Sequence, residues 1–252
     1  MAAKLEIRGL RLAFGDIEAL RGVDIDVPGE GITALIGPNG AGKTALLNAV
    51  SGIYRPQAGS IMLDGRELVG TAPHAIAKAG IGRSFQHLEL FARLTVVENL
   101  LVARDQFFRG NPMSAMIFHG SVRRQEIRHR DAVELIIDFF ELWPYRETPA
   151  KALPFGVQKI VGFARAMALE PKLLMLDEPG SGLTRDEKED LARFLLRLRY
   201  DWGIPILWIE HDLDMVLDLA EMVYALDLGR VIASGSPNEI RENANVAVSY
   251  VG

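Results

Sequence analysis

The chain contains no cysteine, which excludes disulfides and thiolate metal sites and fits a reducing compartment. It has no uninterrupted apolar run near the roughly 18 residues a membrane-spanning helix needs, so it is not expected to cross a bilayer by itself. Its opening, MAAKLEIRGL, lacks the apolar centre of a secretory signal. Positive charge is not in excess either: 28 Lys and Arg stand against 33 Asp and Glu, a formal charge of −5. The broad basic footprint of a nucleic-acid binder is therefore missing, and no nucleic-acid partner is expected. Internal repeats and low-complexity linkers are absent, so the 252 residues read as one folding unit with internal sub-organisation. What is present, 49% hydrophobic and 24% charged residues with 24 Gly and 12 Pro, is the composition of an ordinary soluble globular protein. These exclusions leave a cytosolic enzyme or a subunit of something larger.

Periodicity gives the fold class. Residues 5–14 and 23–27 alternate apolar and polar positions, and 61–63 end at the turn signal Asp64-Gly65. Between them, residues 32–36 form a short apolar run suited to a buried parallel strand. The middle changes character. Thr95 with Glu98 predicts a capping box, and 122–143 carries apolar residues at helical spacing with Pro144 as its stop. Buried runs return at 173–176 and 206–209, separated by the charged helix 186–200. Buried strands alternating with helices predict an α/β core, with the helical stretch 88–153 inserted into it.

The strongest chemical signal is Gly37-Pro38-Asn39-Gly40-Ala41-Gly42-Lys43-Thr44, a full G-x-x-x-x-G-K-T. A phosphate chain concentrates several negative charges in a small volume, so its site needs many converging N–H donors. Glycines let the backbone wrap closely enough to supply them. The following helix, 43–50, points its positive end at the phosphates, Lys43 reaches the β and γ phosphates, and the Thr44 hydroxyl is placed to ligate Mg²⁺. Chance alone produces the pattern in some glycine-rich chains. Here a strand precedes it and a helix comes after it, so nucleotide binding is the expectation.

A second element is Leu173-Leu174-Met175-Leu176-Asp177-Glu178. A buried strand delivering two carboxylates to its C-terminal end places them where open α/β sheets bind ligands. Asp177 is expected to hold the Mg²⁺ shell and Glu178 to accept a proton from, or orient, the attacking water. Asp-Glu-Pro is also ordinary turn chemistry. Beside a P-loop the catalytic reading outweighs it.

At this point the residues resemble the ATP-binding subunits of ABC transporters, over nearly the whole chain. Gln86, in Gly82-Arg83-Ser84-Phe85-Gln86, looks like the Q-loop residue, and His211, in Trp208-Ile209-Glu210-His211-Asp212, like the switch histidine. Leu153-Pro154-Phe155-Gly156-Val157-Gln158 sits where the signature LSGGQ belongs, and Gly180-Ser181-Gly182-Leu183-Thr184 where the D-loop belongs. The resemblance implies a P-loop NTPase (RecA-like) core with an N-terminal antiparallel β subdomain and an inserted α-helical signature subdomain. It implies one domain, 1–252, with the core at about 1–87 and 162–252 and the helical subdomain at about 88–161. It further implies catalytic roles for Glu178, His211 and Gln86, and Mg²⁺ contacts from Thr44, Gln86 and Asp177. Nucleotide contacts are implied for Phe14, for residues 37–44 and for Thr184. Taken singly, Gln86 reads as a solvated loop residue, His211 as a satisfied structural histidine and Phe14 as a core residue. The cluster Arg123, Arg124, Arg128, His129 and Arg130, interleaved with Glu126, reads as the solvated face of an amphipathic helix and receives no role.

Two departures from the family pattern matter. Pro154 and Val157 replace the Ser and Gln of the signature, which weakens its clasp on the partner's nucleotide while the helix dipole still favours an anion. Thr184 stands where the family usually has Asp or Asn. In the family, two subunits face head to tail, each ATP lying between the P-loop of one and the signature of the other. The expectation is a second, non-identical ATPase subunit and two unequal sites. The signature, Ile209-Glu210-His211-Asp212 and the ending Val248-Ser249-Tyr250-Val251-Gly252 are similar to the first ATPase subunit of branched-chain amino acid importers. That implies two transmembrane permease subunits, an extracytoplasmic solute-binding protein, and a cytoplasmic location, peripheral on the inner membrane face through the permeases. Coupling to the permease is expected at about 87–93. A lipid or lipopolysaccharide exporter ATPase, or a subunit with weak hydrolysis that gates its partner, are the alternatives. A small-molecule kinase would share the P-loop alone, and DNA- or ribosome-directed relatives usually carry coiled-coil arms or two ATPase units.

Overall fold

The apolar alternation at the N-terminus changes phase once. Leu5 and Ile7, then Leu10 and Leu12, are buried on β1 (Leu5–Phe14), so the inward positions switch from odd to even between Arg8 and Gly9. In the computed structural model, which describes residues 4–84, 90–107, 121–244 and 246, with backbone alone at 121–123, this switch is a β-bulge. The register slips there against both antiparallel neighbours of β1. One neighbour is β2 (Ile17–Val27). It starts six residues before the alternation at 23–27 that marks it in the sequence, because Leu20 is the one buried position in its first half, which therefore carries no apolar rhythm. After β3 (Ile32–Ile36) and α1 (Lys43–Val50), β4 (Ala58–Leu63) returns to pair with β1, and β5 (Arg66–Glu67) closes a sheet of order β2-β1-β4-β5. Then α2 (Pro73–Ala79) leads into β6 (Ile81–Ser84).

The chain divides into two compact units, Met1–Gln86 with Pro171–Gly252, and His87–Glu170. The second unit is helical. Thr95 caps α3 (Val96–Arg104) by accepting from Glu98 N while the Glu98 carboxylate accepts from Thr95 N, the capping box that the spacing predicts. Buried Asn99 accepts from Phe91 N at 2.9 Å and donates to the carbonyls of Phe91, Leu94 and Thr95, which pins the turn before the helix. The next helix among the described residues, α4 (Ser121–Phe139), stops before Pro144. Its end is a Schellman motif: Glu141 adopts φ 57, its N–H donates to Asp138 O, and Leu142 N–H donates to Ile137 O. Pro144 lies in a separate 3₁₀ turn, Trp143–Tyr145. The unit ends with α5 (Phe155–Met167).

His129 corrects the reading of the basic cluster as a solvated face. Arg124, Arg128 and Arg130 are exposed, and Arg130 pairs with Glu126, but His129 is buried. Arg104 Nε lies 3.2 Å from His129 Nδ1, and the same guanidinium donates to Ala168 O and pairs with Glu170 at 2.6 Å. A histidine one residue from two exposed arginines faces the other way because successive helix positions are about 100° apart.

Back in the first unit the chain runs β7 (Leu173–Asp177), α6 (Arg185–Tyr200), β8 (Ile206–Ile209), α7 (Leu213–Leu219), β9 (Met222–Asp227), β10 (Arg230–Gly235) and α8 (Pro237–Arg241). The second sheet has the order β10-β9-β3-β8-β7-β6, parallel throughout except for β10. β3, β7 and β8 are buried at every position, as a parallel sheet covered on both faces requires. One apolar cluster joins Leu35, Met175, Leu207 and Ile209 of this sheet to Ile7, Leu10 and Ile25 of the antiparallel sheet and to Leu46 and Leu47 of α1. The α/β class and the N-terminal antiparallel sheet agree with the sequence reading.

Candidate functional site

Three neighbouring parallel strands, β3, β8 and β7, end on the same edge of the sheet, with Leu35 opposite Ile209 and Ile209 opposite Asp177. Each strand leads into a segment that the sequence marks as part of the site. The P-loop comes after β3, Glu210 and His211 come after β8, and Asp177-Glu178 terminates β7. In an open α/β sheet the crevice beyond the carboxyl ends is where ligands bind. Gln86, two residues beyond β6, lies outside the described residues.

The loop at 37–42 is shaped by close approach of backbone. Gly37 has φ 152, and a Cβ there would stand 2.1 Å from Leu226 O; Gly42 has φ 106, with Ala19 O 2.6 Å from a Cβ. Both glycines are thus fixed by the neighbouring chain as well as by the needs of a phosphate. Gly42 is the N-cap of α1, no side chain caps that end, and no acid lies in the first turn. The first N–H groups of a helix have no intrahelical acceptor, so they face the loop's concavity with the positive end of the dipole. Lys43 is buried, its Nζ donating to Gly37 O at 2.6 Å and Pro38 O at 2.9 Å. Burial pulls its ammonium below the ordinary lysine value, opposed by the carboxylates of Glu178, Asp177 and Glu210. Thr44 is exposed at the head of the helix.

Asp177 is buried, and Arg83 of β6 donates to its Oδ2 at 3.2 Å. The same guanidinium reaches Asn48 Oδ1 at 2.7 Å and Ser51 Oγ at 3.1 Å, linking the acid to α1. Burial pushes the Asp177 carboxyl up, and Arg83 opposes the rise. Asp177 Oδ1 is buried and has no hydrogen-bond partner among the described residues. A buried acceptor with nothing to accept from is costly unless a ligand, ion or water completes it. Mg²⁺ takes one or two carboxylates, substrate phosphates and several waters. Asp177, which feels the Lys43 ammonium, and the hydroxyl of Thr44 next to Lys43 in the chain are donors of that kind. Glu178 comes next with φ 48, a left-handed backbone that a non-glycine residue adopts at a cost, while its N–H donates to Ile209 O at 2.9 Å.

Sequence reasoning missed Arg83, although it stands in the same motif as Gln86. The available signal was a guanidinium inside a four-residue strand that otherwise reads as buried, since such a charge needs a partner.

His211 has its side chain 56% exposed, with Nδ1 3.2 Å from Glu210 Oε1. Asp212 caps α7 by accepting from Met215 N, and Lys188 of α6 pairs with it at 2.6 Å. That hydrogen bond holds the Asp212 carboxyl below, and the Lys188 ammonium above, their ordinary values. Thr184 caps α6 in a capping box with Glu187, which engages its hydroxyl within its own helix. Phe14, at the end of β1, is 46% exposed and meets Tyr54 edge-on at 5.0 Å. It is a surface ring rather than a core one.

The signature segment lies in the helical unit. Pro154 is the N-cap of α5 rather than its first helical residue, and it provides no side-chain cap. Leu153 and Gly156 are buried, Val157 is half-buried, and Phe155 is exposed with Lys159 Nζ 5.4 Å from its ring centroid. Gln158 turns back, its Nε2 donating to Leu153 O at 2.9 Å.

The ABC transporter family pattern matches residues 20–181. The chain therefore belongs to the ABC transporter family, and it is an ATP-binding, ATP-hydrolysing subunit of that class. Among curated proteins it is 37% identical to the high-affinity branched-chain amino acid transport ATP-binding protein BraF of Pseudomonas aeruginosa, over 98% of this chain and 97% of BraF. It is 36% identical to LivG of Escherichia coli K12, over the same shares. Among solved structures, the ADP conformation of MJ1267, an ATP-binding cassette of an ABC transporter, superposes with a TM-score of 0.86 at 28% identity over the whole of both chains. A nucleotide-free cassette superposes at 0.85, again at 28% identity, over 99% of each.

Proposed function

We propose that this chain powers an importer for branched-chain amino acids or related small solutes by hydrolysing ATP at the carboxyl edge of β3, β8 and β7. One observation carries the site assignment: the P-loop, Asp177-Glu178 and His211 leave three adjacent strands on one edge, with a buried Asp177 Oδ1 among them that finds no partner among the described residues. The similarity to BraF and LivG supports the cargo class.

In this reading the backbone N–H groups of residues 37–44 hold the phosphates. Lys43 exchanges its two loop carbonyls for phosphate oxygens, an exchange favoured because an ammonium gains more from an anion than from neutral acceptors. Phe14 offers a π-face to the base. Asp177, Thr44 and Gln86 form the Mg²⁺ position, and the ion, when bound, neutralises charge on the β and γ phosphates. Glu178 orients and deprotonates the attacking water, its carboxylate aimed by the left-handed backbone at its own Cα. His211 meets the γ-phosphate, and Thr184 fixes the turn between Glu178 and α6 through its cap.

The assembly in this reading has a second, non-identical ATPase subunit, two permease subunits and an extracytoplasmic solute-binding protein. The chain sits at the cytoplasmic membrane face; among the described residues no helix is long and apolar enough to cross it. Residues 87–93 couple to the permease, and their described part, half-buried Leu90 and the exposed Phe91, Ala92 and Arg93, runs into the turn pinned by Asn99. The helical unit presents residues 153–158 to the partner's nucleotide. The cap without a hydroxyl at Pro154 and the inward turn of Gln158 favour unequal sites, the productive ATP lying on this chain's own P-loop.

The test is ATP turnover by the purified transporter, with this chain changed at Glu178 and its sister subunit at the corresponding glutamate, one at a time. Turnover lost mainly on changing Glu178 supports both parts. Equal loss from either subunit removes the asymmetry, and no loss removes the site assignment.

A further inference from the structure

We propose that Glu210 is a positioning residue that acts through His211, selecting which imidazole nitrogen faces the nucleotide and tying that choice to the turn after Glu178. This rests on the proposed meeting of His211 with the γ-phosphate. Glu210 is 1% exposed at the end of β8. Its two oxygens serve different segments. Oε1 accepts from His211 N at 3.0 Å and stands 3.2 Å from His211 Nδ1; Oε2 accepts from Gly180 N at 3.1 Å. A buried carboxylate without partners is strongly disfavoured, so these contacts hold the side chain in one pose.

An acceptor 3.2 Å from Nδ1 favours the proton on that nitrogen, and a small rotation of the exposed ring aligns the bond. Apo enzymes commonly keep such bonds loose until substrate arrives. With Nδ1–H committed to Glu210, Nε2 is the nitrogen left to face outward. Without the carboxylate, the ring is free to take the other tautomer or to turn over, and either change presents the wrong nitrogen.

Gly180 supplies the link to the turn after Glu178. A Cβ there would lie 3.0 Å from Glu210 Oε2, so the close approach suits glycine. On the other flank of His211, Asp212 pairs with Lys188. His211 is thus bracketed by two carboxylates, one tied to the turn after Glu178 and the other to the first turn of α6. Movement of that stretch reaches Glu210 through the Gly180 N–H bond and passes to the imidazole when the ring aligns with Oε1.

The test uses the transporter complex for kinetics and the full chain, ¹⁵N-labelled at its five histidines, for spectroscopy. Glu210→Gln keeps the shape but has one acceptor oxygen, so it cannot accept on both sides. We expect kcat to fall about ten- to hundredfold with KM for ATP within about twofold, the scale typical of lost outer-shell partners. The His211 ring nitrogens should shift away from the Nδ1–H tautomer. In a His211→Ala background, Glu210→Gln should lower kcat no further. Glu210→Asp, too short to reach both Gly180 and His211, serves with the same readouts if the Gln variant does not fold. An unchanged tautomer, or an equal loss of kcat with and without the imidazole, overturns this proposal alone. Full turnover in His211→Ala overturns the γ-phosphate role of His211 as well.

Discussion

Glu178 holds a left-handed backbone at φ 48, a conformation that costs a non-glycine residue about 1–3 kcal/mol. That cost points to a carboxylate held in place for chemistry. Glu178→Gly relieves the strain and removes the carboxylate together. The expected outcome is unfolding stability unchanged or raised by up to about 1 kcal/mol, with ATP turnover down at least about a hundredfold. A stability loss beyond about 2 kcal/mol would show that the backbone is not strained there. Arg83 invites the opposite experiment. Its guanidinium pairs with a buried carboxylate and also reaches Asn48 and Ser51. Arg83→Met should cost about 3–5 kcal/mol in denaturant unfolding, because it leaves the buried charge on Asp177 uncompensated. Arg83→Met with Asp177→Asn should recover part of that loss.

At the scale of elements, the P-loop is constrained from outside as much as by its ligand. Gly37→Ala drives a methyl into Leu226 O on β9, so it should displace the loop and lower nucleotide affinity by at least about tenfold, about 1.4 kcal/mol, in calorimetric titration. In the helical unit, burial and then Arg104 hold the His129 imidazole below its ordinary value. The unfolded chain then binds a proton that the fold resists, so His129 makes stability rise with pH between its depressed folded value and the ordinary histidine value. Thermal unfolding across the mildly acidic to neutral range should show stability falling on acidification through the ordinary histidine value, and His129→Gln should flatten that slope. The same helix shows where periodicity is a poor guide to ends. Residues 140–143 keep the apolar rhythm of α4, yet the left-handed Glu141 stops the helix before Pro144.

For the whole molecule, what is legible in the sequence is local: short apolar runs bounded by turns, and motifs whose residues lie side by side in the chain. The order of the P-loop, the β7 strand with Asp177-Glu178 and the His211 segment is enough to place them on one sheet edge once the sheet is read as parallel. Contacts between distant segments are not legible. Arg83 meets Asp177 across 94 positions and Glu210 meets Gly180 across 30, and neither pairing leaves a periodic trace. Only half of β2 shows in the sequence because its first half buries Leu20 alone and so has no apolar alternation, and the basic neighbours of His129 on its helix mask a single inward position. The phase change at Arg8 and Gly9 is visible in the apolar positions but needs the neighbouring strands to be recognised as a bulge.

The central proposition is that this chain's own P-loop edge carries the productive ATP. The direct measurement is nucleotide content and steady-state turnover of the assembled transporter with Glu178→Gln confined to this subunit. The expected result is ATP retained on this chain and turnover reduced at least about a hundredfold. Turnover within about twofold of the unaltered complex, or a chain that no longer holds ATP, would contradict it.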